Sequence, residues 1–130
     1  MRGVENNARK TYGYAQKAAE MKKILFTGGG SAGHVVPNLA LIDSLKKRGA
    51  YEIFYAGTNG IEKRLLAPTG IPFFEISCPK LVRSFTLKNF AIPFSLYKAI
   101  RDSRKILQNV RPHLVFSKGG FVSLPVCLAA

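Results

Sequence analysis

The sequence predicts an α/β fold built on a parallel sheet, and three observations predict it. Short apolar runs bounded by glycine alternate with segments of helical period, the pattern of successive βαβ units. A glycine-rich loop directly follows the first run, and a second follows the last run in the same way. The chain has 130 residues, room for one domain, and a hydrophobic share of 47% with nine Phe and five Tyr supplies it with a core.

Residues 1–20 are polar and hold no convincing strand, so they read as an extension, with at most a weak helix over Ala15 to Glu20. Met21 then opens a natural start that leads at once into a buried strand, Lys23 to Thr27. The first helix is expected over Val36 to Arg48, with Leu39, Ile42 and Leu45 on one face and Gly49 as the residue that ends it. A second strand, Glu52 to Ala56, precedes a short helix from Ile61 to Ala67 that stops at Pro68. Phe73 to Ser77 is the third strand. A helix over Phe94 to Asn109 sets Leu96, Ala99, Ile100 and Leu107 at core-like spacing and Lys98, Arg101, Arg104 and Lys105 on its wetter face. Leu114 to Ser117 is the fourth strand, and a last helix begins near Leu124. That fourth strand is predicted as an apolar edge, and the chain stops inside an apolar stretch. Both features lead to the expectation that residues 21–130 are an incomplete domain.

Several classes are set aside. The longest apolar run, Leu124 to Ala130, falls far short of the about 20 residues that span a bilayer. The first 20 residues lack the apolar centre of a secretory signal. Cys78 and Cys127 show no metal-ligand or redox spacing, and are expected to be reduced, buried small hydrophobes in a cytosolic protein.

Charge is the strongest compositional signal. Twenty Lys and Arg against seven Asp and Glu give a formal net charge of +13. From Lys80 to Lys118 nine basic residues face one acid, Asp102. Such an excess suits nucleic acid, an anionic membrane or a phosphorylated substrate.

The first glycine loop, Thr27-Gly28-Gly29-Gly30-Ser31-Ala32-Gly33-His34, lies between a strand and a helix, where outward-pointing amides favour an anion. Gly28, Gly30 and Gly33 also fit the spacing of a dinucleotide fingerprint. That fingerprint requires an acid at the end of the second strand, and here the strand ends in Ala56-Gly57-Thr58-Asn59. A nucleotide or dinucleotide-binding Rossmann module is therefore the alternative reading. His34 sits where an imidazole could contact a reacting hydroxyl or a phosphate, or could simply cap and pack. Glu62, at the start of its helix, reads as an acid stabilising the helix dipole. The second loop, Ser117-Lys118-Gly119-Gly120-Phe121-Val122-Ser123, also ends a strand, so one ligand cradled between the two loops is expected.

The segments Gly29-Gly30-Ser31-Ala32-Gly33-His34-Val35 with Pro37, Gly57-Thr58 with Gly60-Ile61-Glu62, Gly70-Ile71, and Gly119-Gly120-Phe121-Val122-Ser123 resemble, in order, the amino-terminal domain of the MurG glycosyltransferases. Two departures are small: Ser31-Ala32 stands where the family commonly has Thr-Gly, and Leu124 where Gly often precedes the proline. The resemblance implies a Rossmann-like, partial amino-terminal domain of a GT-B glycosyltransferase, its carboxyl-terminal donor domain absent and the chain inactive alone. It implies inverting transfer of N-acetylglucosamine from UDP-GlcNAc to undecaprenyl-pyrophosphoryl-MurNAc-pentapeptide (lipid I to lipid II), in peptidoglycan synthesis. It assigns Ser31, Ala32 and Gly33 to the donor and diphosphate region and Gly30, Gly119, Gly120 and Ser123 to the acceptor pyrophosphate. His34 becomes the general base or orienting residue. No metal and no cofactor is implied.

The segment from Leu81 to Phe94 mixes large apolar residues with isolated bases. Leu81, Arg83, Phe85, Lys88, Phe90 and Phe94 either pack inward as a solvated loop or meet an anionic membrane surface, each base near the headgroups contributing about 1 kcal/mol. The lipid-linked acceptor implied by the resemblance favours the second, a peripheral protein at the cytoplasmic face of the bacterial plasma membrane. Basic residues among aromatics also describe nucleic-acid surfaces, but no RNA- or DNA-binding motif accompanies them, and no nucleic acid is expected.

Overall fold

The computed structural model describes residues 21–78 and 92–130, with positions 9–11, 13 and 16 before them. The weak helix expected over Ala15 to Glu20 lies outside the described residues except for Gln16, which is helical and exposed. The elements run β1 (Lys22–Thr27), α1 (Ala32–Arg48), β2 (Tyr51–Gly57), α2 (Ile61–Leu66), a 3₁₀ turn (Ala67–Thr69), β3 (Phe73–Glu75), α3 (Ile92–Val110), β4 (Leu114–Ser117) and α4 (Ser123–Ala129). The expected α/β class is the observed one.

All four strands are parallel, in the order β3-β2-β1-β4. The chain thus builds outward from β1 to β3 and then returns to place β4 on the far side of β1. Alternation along β1 separates two apolar layers, because successive side chains point to opposite faces. Ile24 and Phe26 join Ile42, Ile53, Tyr55, Leu66 and Ile71 on the side of α1 and α2. Leu25 joins Ala56, Ile76, Ala99, Ile106, Val110 and Val126 on the side of α3 and α4. Helices on both faces explain why the central strands read as nearly continuous apolar runs. β4 stands at the edge, as expected, with Leu114 53% exposed.

Three expectations need correction. The first helix starts at Ala32 rather than Val36, because Ser31 in extended conformation begins it immediately after the glycines. Pro37 therefore falls within the helix, where its missing N–H leaves the carbonyl of exposed Gly33 to solvent. At the other end Gly49 adopts the expected left-handed turn, φ 70°. The core face of α3 is Ala99, Ser103, Ile106 and Val110, while Leu96, Ile100 and Leu107 are half-buried. Ser103 tolerates burial because its hydroxyl donates to the Ala99 carbonyl at 2.7 Å. Lys98, Arg101, Arg104 and Lys105 are exposed as expected. The cysteines are not buried: Cys78 is half-exposed and Cys127 lies on the outer face of α4 beside exposed Leu124 and Leu128. Glu62 stands in the first turn of α2, as read, and is fully buried there. No helix among the described residues is long and apolar enough to cross a membrane.

Candidate functional site

The strand order gives the two glycine loops their meaning. In an open α/β sheet a ligand crevice forms where the order reverses, at the carboxyl ends of the strands on either side. Here that point lies between β1 and β4, and Thr27 and Ser117 are register partners across it. The loop after Thr27 and the loop after Ser117 consequently leave the sheet side by side.

They touch. Gly120, at φ 90°, lies so near the first loop that a Cβ there would fall 2.4 Å from the Gly29 carbonyl oxygen. Gly30, at φ 85°, likewise has no room for a Cβ beside the Phe121 ring. Both positions demand glycine for conformation and for close approach. The His34 ring completes the junction, standing 3.8 Å from the Cβ position of Gly119 and 3.3 Å from that of Gly120.

Each residue singled out in the sequence has a definite place. Ser31, Ala32 and Gly33 are exposed at the open N-terminus of α1, where no side chain caps the helix and no acid occupies the first turn. His34 follows in that first turn, half-buried, and its imidazole makes no hydrogen bond among the described residues. Gly119 and Gly120 are half-buried. Ser123 is buried, and its hydroxyl donates to the Gly120 carbonyl at 2.8 Å, which shapes the second loop from within. The Gly30 N–H points at Glu62, 3.4 Å from Oε2. Leu81, Arg83, Phe85, Lys88 and Phe90 lie outside the described residues. Phe94 is 80% exposed near the start of α3.

The structure adds residues that the sequence did not single out. Asn38 is fully buried on α1, and its Nδ2 donates to the Thr27 carbonyl at 3.3 Å and to the Tyr55 hydroxyl at 3.1 Å. Tyr55 in turn donates to the Gly28 carbonyl at 2.7 Å. A buried chain of polar groups therefore anchors the root of the first loop to α1 and β2. Burial, modified by the Asn38 hydrogen bond and the negative charge of Glu62, pushes the Tyr55 phenol up to about 12. Asn38 carried a readable signal: Val35, Asn38 and Ile42 share one helical face, and a polar residue on a core face needs a buried partner.

Two glycine loops, an uncapped helix N-terminus and an imidazole without a hydrogen bond among the described residues are thus brought together. Residues 24–130 match the model of the glycosyltransferase family 28 N-terminal domain. The chain belongs to this family. It is 54% identical over 111 residues to the UDP-N-acetylglucosamine--N-acetylmuramyl-(pentapeptide) pyrophosphoryl-undecaprenol N-acetylglucosamine transferase of Clostridium botulinum (strain Langeland), covering 85% of this chain and 31% of that protein. The protein of the same name from Lachnoclostridium phytofermentans matches equally, at 54% over 111 residues. The crystal structure of Acinetobacter baumannii MurG superposes with a TM-score of 0.67 at 29% identity, over 84% of this chain and 30% of that one. This glycosyltransferase family 28 chain thus spans about a third of the length of the relatives it matches. The resemblance read from its loops is borne out.

Proposed function

We propose that this chain forms the acceptor-side domain of an inverting glycosyltransferase that moves N-acetylglucosamine from UDP-GlcNAc to undecaprenyl-pyrophosphoryl-MurNAc-pentapeptide. The observation that carries this reading is the meeting of both glycine loops with His34 at the switch point of the sheet. In this reading the amides of Gly119 and Gly120 and the open turn of α1 at Ser31, Ala32 and Gly33 neutralise the acceptor pyrophosphate and one edge of the donor diphosphate. His34 accepts the proton of the attacking sugar hydroxyl as that oxygen displaces UDP at the anomeric carbon, inverting it. A second α/β domain holds the uridine, and the chain alone is inactive, because near-attack positioning of both substrates accounts for about 7 to 11 kcal/mol of such a barrier.

Support for a lipid-linked acceptor comes from α3. Phe94 and Tyr97 are 80% and 66% exposed, and Lys98, Arg101, Arg104 and Lys105 line the helix beyond them. A pocket of about 270 Å³ lined by Ser77, Cys78, Phe94, Ser95 and Lys98 joins this end of α3 to the second loop, since the Cys78 thiol lies 3.6 Å from the Phe121 carbonyl. Aromatic and cationic side chains together suit an anionic membrane surface, here the cytoplasmic face of the plasma membrane. The dinucleotide alternative is disfavoured by Glu62: this acid near the end of β2 is buried on protein donors and offers nothing to a ribose.

The test is a transfer assay with UDP-GlcNAc and a soluble lipid I analogue, on this chain extended through a second domain. His34→Ala should lower turnover by about 10² to 10⁴ with little change in stability. Wild-type turnover in that variant removes His34 from the chemistry; absence of transfer by the extended protein sinks the functional reading.

A further inference from the structure

Glu62 supports an inference that uses the reading above only for the identity of the ligand. Its carboxylate is fully buried, and no cation among the described residues stands within ion-pair distance. A buried, unpaired charge is unfavourable unless hydrogen bonds satisfy it. Three donors do so: the Thr58 N–H at 2.7 Å, the Thr58 hydroxyl, and the Gly30 N–H at 3.4 Å. The surroundings are shaped to the carboxylate, because a Cβ on Gly29 would stand 2.6 Å from Oε1 and one on Gly57 would stand 2.7 Å from Cγ. Oε1 therefore holds the turn after β2, while Oε2 reaches back to the first glycine loop. We propose that Glu62 is a positioning residue: by engaging the Gly30 N–H it fixes the first glycine loop so that the α1 amides and His34 face the same diphosphate as Gly119 and Gly120.

The sign of one effect separates positioning from charge. Glu62→Gln removes a negative charge near an anion site, and Coulomb attraction alone would then tighten anion binding. A Gln whose oxygen keeps Thr58 turns its NH₂ toward the Gly30 N–H, so positioning demands weaker binding. Glu62→Asp retains the charge and withdraws it by one methylene, which also frees Gly30. The experiment titrates the isotopically labelled chain with inorganic pyrophosphate and measures amide hydrogen exchange at Gly30 without ligand. Both variants should bind pyrophosphate about tenfold more weakly and speed Gly30 exchange by a similar factor. Leu66→Ala, which truncates a buried side chain on the same helix away from the loop, should lower the unfolding midpoint while leaving pyrophosphate binding within about twofold. Equal or tighter binding by Glu62→Gln overturns the proposal, as does equal weakening by Leu66→Ala. If the wild-type chain does not bind pyrophosphate, the functional reading fails, and Gly30 exchange decides the tether by itself: an unchanged rate in Glu62→Gln overturns it.

Discussion

Replacing Tyr55 by Phe tests how the first loop is anchored. The ring stays, so its stacking on Phe73, with centroids 6.0 Å apart, is retained and only the hydroxyl is lost. That hydroxyl donates to the Gly28 carbonyl and accepts from Asn38. Asn38 keeps its bond to the Thr27 carbonyl, so the damage concentrates on Gly28, which is buried. An orphaned buried carbonyl costs about 1 to 3 kcal/mol, which for a domain of this size lowers the melting temperature by about 5 to 15 °C. Urea unfolding followed by circular dichroism measures the loss. The phenol also predicts a pH effect. Its folded pKa, about 12, lies above the ordinary 10, so its contribution is complete below about pH 10 and is lost as pH rises toward 12. Tyr55→Phe should flatten that alkaline limb. A loss under about 0.5 kcal/mol with an unchanged alkaline limb would refute the anchoring argument.

Three further predictions concern other parts of the molecule. The Thr27 hydroxyl is buried without a hydrogen-bond partner among the described residues, so Thr27→Val should leave stability unchanged or raise it by up to about 1 kcal/mol, as read by urea unfolding; a clear loss would reveal a hidden partner. Vesicles containing anionic lipid should bind the chain at low salt and release it as salt rises, and Phe94→Ser with Tyr97→Ser should weaken binding even at low salt. Equal binding by that double variant would show that the exposed rings of α3 do not enter the interface. A thiol reagent at pH 8 should modify exposed Cys127 quickly and Cys78 slowly, because burial first and the charge of Glu62 second push the Cys78 thiol up; equal rates would contradict that environment.

Much of the scaffold was legible in the residues themselves. Gly49, Pro68 and the apolar runs of the central strands marked their elements through local rules: a left-handed turn, a missing N–H, and burial on both faces. Strand order was not legible, because apolar periodicity reports burial and says nothing of neighbours. Only the return of the chain to place β4 beside β1 brings the two glycine loops together. The α1 start was misplaced because the helix begins directly after Ser31 and takes Ala32 and Gly33 into its first turn. Glu62 stands at its helix start as read, but its burial was not legible. An acid at a helix start ordinarily stays in water, and its burial depends on Gly29, Gly57 and Thr58 closing around it from two other loops. Cys127 followed composition toward the core, yet the helical phase of α4 turns it outward while Ser123 and Val126 face in.

The central claim is that the loops after β1 and β4 make one anion site. It is tested most directly by titrating the isotopically labelled chain with inorganic pyrophosphate and following the backbone amides by NMR. The amides of Ala32, Gly33 and His34 should shift together with those of Gly119 and Gly120, along one saturation curve. Shifts confined to one loop, two unrelated saturation curves, or shifts centred on the distant pocket of Leu39, Lys46 and Thr69 would contradict it.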